Sequence, residues 1–193
     1  MFYLIVVVAV LVLTGGGNAI PALSGGPTAA LLAAGRVFFW AAAVFALDGA
    51  EAFLLRRLPE RWFAPLSPVF AVGKREKRFY RRIGVPLWEG KIPELGGFTA
   101  FHKNRLSSPE DPAYLARFLT ETNYGVLIHL VNGLTGWLVL LVPFCQAPSV
   151  YVPVAFCNMV LSFLPLFILR NNTRPLRALY RRRMAPAKAV PQP

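Results

Sequence analysis

A chain of 193 residues that is 55% hydrophobic, with a mean hydropathy of +0.49 and a formal charge of +12, has the composition of a small membrane protein rather than a basic soluble domain. Such a charge commonly marks nucleic-acid binding, but here long apolar runs separate the basic clusters, as expected of lysines and arginines beside an anionic leaflet. The two cysteines, Cys145 and Cys157, lie in apolar surroundings without metal-ligand spacing, which favours buried thiols over a disulfide near one membrane face.

Four apolar stretches are long enough, or nearly so, to match the roughly 20 residues a spanning helix needs. The first, "FYLIVVVAVLVLTGGG", is short and lacks a basic leader, so it reads as a span, with signal-peptide cleavage near Ala19 the alternative. The second runs from Ala29 to Leu47 and extends towards Leu55, enclosing Arg36 and ending near Asp48 and Glu51. The third covers Tyr124 to Cys145 and the fourth Val150 to Leu169. The pattern predicts an all-α integral membrane protein of about four transmembrane helices, with a cytoplasmic interfacial amphipathic segment between helices 2 and 3. The organisation expected is two spans in 1–55, an interfacial segment in 56–123, two spans in 124–169, and a basic, partly disordered tail in 170–193.

Charge placement orients the chain. Thirteen lysines and arginines fall between Arg56 and Arg117 and seven between Arg170 and Lys188, whereas "TGGGNAIPALSGGP" and "QAPSV" carry none. The positive-inside rule puts the middle segment and the C-terminus in the cytoplasm. The middle segment mixes large apolar and basic side chains, as in "RWFAPLSPVFAVGKREKRFYRRIGVPLW", which suits a chain lying at the membrane interface. Its prolines and glycines predict short helices and turns. Near its end Ser108, Pro109, Glu110 and Asp111 form a helix start, with a cap, a proline at the first helical position and acids at the positive dipole end.

The third stretch carries "ETNYGVLIHLVNGLTGW". Glu121 and His129, eight residues apart, share a broad helical face but stand roughly 12 Å apart along a regular helix, so a direct dyad needs a break near Gly125. Asn132 follows His129 by about one turn and can orient its ring. Gly125 and Gly133 strip that face of side chains, leaving a groove for a lipid chain or a neighbouring helix. An ionisable side chain inside a span is costly and more often functional than one in a soluble core; the competing reading is interhelical packing. Imidazole titrates near neutrality and can take a proton from a hydroxyl. Arg36 reads as a snorkelling residue. The arginines of "KREKRFYRR" and "RALYRRR" read as topology and anionic-lipid anchors, with phosphate binding the minor alternative. The chain contains no nucleophile elbow, Walker loop or dinucleotide fingerprint. His102 is not followed by an aspartate four residues later.

Four segments in order, "RLPERWF", "KREKRFYRRIGVPLWEGKIPELGGF", "ETNYGVLIH" and "NTRPLRALYRRR", resemble the glycosyl-4,4'-diaponeurosporenoate acyltransferase family of small bacterial membrane proteins over about residues 57 to 183. The resemblance implies esterification of a sugar hydroxyl on a glycosylated carotenoid by a fatty acyl chain. By position it singles out Tyr80, Trp88, Lys91, Pro93 and Glu94 in the middle segment, and Glu121 and His129 beyond it. Two positions depart from the family pattern: Glu89 stands where a lysine often follows the tryptophan, and Val126 where an acid would precede the histidine.

The resulting expectation is a membrane O-acyltransferase that takes its acyl group from a thioester, acyl-CoA or acyl carrier protein, and transfers it to a lipid or glycolipid hydroxyl. His129 would act as base, with Glu121 orienting it or the acceptor. Lys91, with Lys103, would hold the donor or the oxyanion. Tyr80 and Trp88 would form a sugar or acyl platform, with Glu94 and Asn132 also binding substrate. No metal or resident cofactor and no nucleic acid are expected; anionic lipids are, in a bacterial inner membrane. The alternative from another class is a non-catalytic lipid-binding or scaffold protein.

Overall fold

The computed structural model describes residues 2–92, 106–138 and 148–185, and all secondary structure in them is helical. The long helices are α1 (Phe2–Ala22), α2 (Pro27–Leu55), α5 (Pro112–Leu138) and α6 (Pro148–Met184). Two short ones, α3 (Lys74–Arg82) and α4 (Val85–Trp88), lie in the middle segment among single 3-10 turns at Glu60–Phe63, Pro68–Phe70 and Glu89–Lys91. The chain divides into two compact units. One comprises residues 2–57, 91–92, 127–138 and 148–166; the other comprises 58–90, 106–126 and 167–185.

In the first unit α1 and α2 form a helical hairpin. Gly26, at φ 94°, occupies backbone space that disfavours other residues, and Pro27 then opens α2 at its first position. Val37 and Val44 of α2 pack on Val150, Tyr151 and Val154 of α6, joined by Leu11, Ala41 and Trp40. The Trp40 indole meets the Tyr151 ring edge-on at 5.2 Å. Most of the remaining surface is apolar: Ile5, Val8, Leu13, Leu31, Phe39 and Phe45 are exposed. Only 11% and 17% of the apolar windows of α1 and α2 are buried within the protein, as expected of helices whose outer faces meet lipid.

Three described helices, at Leu4–Gly25, Pro27–Leu55 and Pro148–Met184, are long and apolar enough to cross a membrane. The expected third span falls on α5, whose described part ends at Leu138; residues 139–147, including Cys145, lie outside the described residues. The described part of α5 is diluted by Thr122, Asn123 and Asn132, all buried, together with Glu121 and His129. Helix α5 begins three residues later than the sequence led us to expect. Asp111 is the cap, its Oδ1 accepting from Ala113 N at 2.8 Å, and Pro112 takes the first helical position in place of Pro109. Helix α6 does not stop where its apolar run ends at Leu169 but continues to Met184. Residues 170–184 are therefore helix, several of them buried, rather than tail. Residues 186–193 lie outside the described residues.

The second unit is built around a proline-rich strip, residues 58–71, that makes no regular helix. Pro59, Pro65 and Pro68 remove backbone donors, and although the carbonyls of Pro59, Ala64, Ser67 and Pro68 accept from N–H groups within the strip, others there need partners from elsewhere. Side chains of α5 and α6 supply them. Tyr124 donates its hydroxyl to the Leu58 carbonyl at 2.9 Å, and Asn123 donates Nδ2 to the carbonyls of Phe63 and Ala64 at 3.0 and 3.1 Å. Arg177 donates to the Ser67 carbonyl at 2.8 Å, and Arg170 reaches those of Phe70 and Ala71 at 3.2 and 3.3 Å. Phe63 stacks on Tyr124 with centroids 3.7 Å apart and is sealed under Phe70.

Helix α6 obeys the same rule at two of its internal prolines, Pro153 and Pro175. Pro153 cannot donate to the Ser149 carbonyl one turn back; Asn18 donates to that carbonyl at 3.3 Å and accepts from the Ser149 hydroxyl at 2.8 Å. Pro175 likewise leaves the Asn171 carbonyl open, and Lys77 Nζ donates to it at 2.8 Å and to Asn171 Oδ1 at 2.6 Å. K77M should destabilise the protein by about 1–3 kcal/mol, the range for a buried acceptor left unpaired. In a P175A background, where the substitution restores a backbone N–H able to serve that carbonyl, the loss should shrink. A double-mutant cycle of thermal melts in detergent checks this, and additive effects would show that Lys77 does not serve the proline-opened carbonyl.

Candidate functional site

The first unit gathers polar side chains from three otherwise apolar helices. Asp48 and Glu51 come from α2, Asn132 from α5 and Asn158 from α6; both asparagines are buried. Asn158 Nδ2 donates to the Asn132 carbonyl at 2.9 Å and to Asp48 Oδ1 at 3.4 Å. The Asn132 amide is satisfied when its nitrogen faces Glu51 Oε2 at 3.2 Å and the Ile128 carbonyl at 3.1 Å. The opposite orientation sets its oxygen against that carboxylate and leaves the nitrogen only the Asp48 carbonyl at 3.5 Å, so we adopt the first. His129 is half-buried one turn before Asn132 on α5, hence on the face that carries this cluster.

Two glycines explain how α6 comes close enough to α5 to take part. A Cβ at Gly133 would fall 2.6 Å from Phe163 Cδ1, and one at Gly136 would fall 2.7 Å from Asn158 Nδ2. The notch at Gly133 is therefore filled by a neighbouring helix, one of the two occupants expected for it. Gly136 is what admits Asn158.

The second unit holds a clasp between α3 and α6. Arg170 donates Nε to Glu76 Oε1 and an Nη to Oε2, both at 2.7 Å, a bidentate pair in which Tyr80 joins by donating its hydroxyl to Oε1 at 2.7 Å. Burial alone would raise the Glu76 carboxyl, but the hydrogen bonds from Arg170 and Tyr80 outweigh it and hold it below its usual range. Burial and the adjoining carboxylate push the Tyr80 phenol up to about 12. Beside the clasp, Lys77 holds Asn171, and the amides of Asn171 and Asn172 both donate to Glu89 Oε2 at 3.3 Å.

The residues singled out by sequence fall into three groups. His129, Asn132 and Lys91 belong to the first unit, with Lys91 exposed at the end of a 3-10 turn. Glu121, Tyr80 and Trp88 belong to the second. Glu94, Lys103, Pro93 and His102 lie outside the described residues. Helix α5 is unbroken through Gly125, so the break that a direct Glu121–His129 dyad requires is absent. Tyr80 is 6% exposed, its hydroxyl bound to Glu76 and its ring against Phe79 and Phe167; it braces the clasp instead of offering the open platform expected of it. Trp88 is half-buried and donates Nε1 to the Ile83 carbonyl at 3.1 Å. Cys157 is a free, buried thiol. Among the described residues no group of three or more His, Cys, Asp or Glu side chains is placed to hold a metal ion.

Residues 59–182 match the glycosyl-4,4'-diaponeurosporenoate acyltransferase family, well over half of the chain. The chain belongs to that family. No curated protein and no solved structure matches it. The family match takes in His129, Asn132, Asn158 and the whole α3–α6 clasp, whereas Asp48 and Glu51 precede it. The family name describes acyl transfer to a glycosylated carotenoid, chemistry that asks for a base, an acceptor site and a donor site.

Several of these residues escaped the sequence reading. Asn158 is a lone amide in an apolar run, a signal that was present. Glu76 is the only acid within "KREKRFYRR", and Arg170 ends the last apolar run; each looks like surface charge until the other is placed opposite it. Because Glu76 ionises more readily in the folded chain than at its ordinary 4.5, its stabilisation is complete above that pH and is lost as pH falls through the folded-state value. E76Q should therefore lower stability near neutrality by about 1–3 kcal/mol and flatten the acid side of the stability curve. Melts from neutral to acid pH should show the variant and the wild type converging at the acid end, and a constant offset would contradict the pairing.

Proposed function

We propose that the protein is an integral-membrane O-acyltransferase that moves a fatty acyl group from a thioester to a hydroxyl, on the sugar of a glycosylated lipid or carotenoid. The family membership over residues 59–182 carries this reading. The polar cluster of the first unit supports it, since it offers the groups that acyl transfer to a sugar uses.

In this mechanism His129 removes the proton from the acceptor hydroxyl as its oxygen attacks the thioester carbonyl. The tetrahedral oxyanion collapses, the C–S bond breaks, and the imidazolium returns the proton to the departing thiolate. Asn132, one turn along α5, orients the base, and the carboxylates of Glu51 and Asp48 accept hydrogen bonds from the sugar hydroxyls. This transfers to Glu51 and Asn132 the orienting part first given to Glu121. Lys91, in the same unit as His129, supplies positive charge for the oxyanion. Glu121, Glu94, Lys103 and Trp88 retain substrate-binding parts in the proposal, and no metal or resident cofactor is required. The basic segments support a cytoplasmic location for 56–123 and the C-terminus at a bacterial inner membrane, where an acyl-CoA or acyl carrier protein donor would be available and anionic lipids would meet the arginines.

The test is acyl transfer by protein in nanodiscs, supplied with an acyl thioester and glycosylated lipid acceptors. H129A should lower kcat by about 10²–10⁴ while the melt remains that of a folded protein. Undiminished turnover in H129A would remove the histidine from the mechanism. Equal loss in H129A and loss of the fold would be separated by H129Q, which keeps the size and polarity of the side chain but not a general base.

A further inference from the structure

The clasp between α3 and α6 leaves positive charge that its own acids do not answer. Lys77 meets Asn171 while Tyr80 meets Phe167, so the two helices run antiparallel. Arg81, one turn beyond Lys77 on α3, and Arg174, about one turn beyond Asn171 on α6, therefore lie on opposite sides of the Lys77 ammonium. Both are exposed, and both act electrostatically on it. Neither guanidinium makes a hydrogen bond or ion pair among the described residues. The acid that pulls on the Lys77 ammonium is Glu89, whose carboxylate already accepts from the amides of Asn171 and Asn172. Of the three Lys77 N–H groups, two go to Asn171, leaving one. Burial holds the ammonium below its usual range, and Arg174 and Arg81 press the same way against the pull of Glu89. Glu76 does not relieve them, since both its oxygens are taken by Arg170 and Tyr80.

We infer that Lys77, Arg81 and Arg174 form a binding site for a phosphate group. Two guanidiniums flanking a fixed ammonium match a tetrahedral dianion, each fork offering two parallel N–H donors and the lysine a point charge between them. The Lys77 side chain is already fixed by its bonds to Asn171, so binding need order only the two arginine side chains. Phosphate reaches such a site either on a soluble nucleotide-bearing thioester carrier such as coenzyme A or on an anionic phospholipid headgroup. Only the first source rests on the acyl-transfer reading; the site itself rests on the cations.

The experiment uses the full chain in nanodiscs of zwitterionic phosphatidylcholine, titrated with coenzyme A, and in parallel measures enrichment of phosphatidylglycerol around the protein in mixed nanodiscs. R81Q and R174Q each remove one fork. R82Q removes the same charge from α3 about 100° further round the helix and serves as control. A loss of about tenfold in coenzyme A affinity in R81Q and R174Q but not in R82Q supports the site with the soluble carrier as source. Loss of phosphatidylglycerol enrichment in the same two variants, with no coenzyme A binding by any protein, supports it with the headgroup as source. Unchanged behaviour of both ligands in R81Q and R174Q, or an equal effect of R82Q, overturns it. Because binding is read without turnover, failure of the acyl-transfer reading leaves this result standing, and the reverse is also true.

Discussion

Proline takes away a backbone donor without taking away the carbonyl it would have served, and in this chain that loss recurs in the strip 58–71 and along α6. A carbonyl buried without a partner costs free energy on the order of a lost hydrogen bond, more so where the surroundings are apolar. In the strip 58–71 side-chain donors add to the backbone bonds it makes with itself, and at Pro153 and Pro175 of α6 they replace the missing N–H groups. Asn123, Tyr124, Arg170 and Arg177 serve the strip, while Asn18 and Lys77 serve the carbonyls opened by Pro153 and Pro175. The pattern explains why so basic a C-terminal segment is partly buried: Arg177, only 6% exposed, is a backbone partner and not a membrane anchor.

This use of polar groups separates structural side chains from those left for chemistry. In the second unit Glu76, Tyr80 and Arg170 satisfy one another and clasp two helices, and Asn123 is wholly buried with its amide nitrogen engaged. Its Oδ1 has no donor among the described residues, a local weakness accepted for two carbonyl bonds. In the first unit the carboxylates of Asp48 and Glu51 are held by amides, not by arginines, so they keep the capacity to accept hydroxyl donors. A glycosylated lipid entering from the bilayer would present such hydroxyls. That difference is the physical reason for placing base and acceptor in the first unit and phosphate in the second.

The helical class, the apolar character of α1, α2 and α6, the broken middle segment and the family were all legible in the sequence, because hydropathy and ordered motifs survive without tertiary information. The start of α5 was misplaced by three residues because "SSPEDP" contains two candidate cap-and-proline pairs, and only the hydrogen bond from Ala113 to Asp111 chooses between them. The packing role of Gly133 was visible as one of two alternatives, and Phe163 decided it. Arg170 and Glu76 were not legible as a pair, since 94 positions separate them and both sit in segments whose charge has a simpler explanation at the membrane surface. Asp48 and Glu51 were seen as the end of a span, but their asparagine partners are on other helices and no local pattern announces them. The burial of Tyr80 was not legible, because position in a motif says nothing about burial.

The most direct test of the donor-replacement account is amide hydrogen exchange on the protein in nanodiscs, comparing N123L with the wild type. Leucine keeps the volume of the buried side chain but removes the nitrogen that serves the Phe63 and Ala64 carbonyls. The account predicts faster exchange across residues 58–71 with α1 and α2 unchanged. Identical exchange in that strip would show that packing of Phe63 and Phe70 holds it without the donors, and would contradict the account.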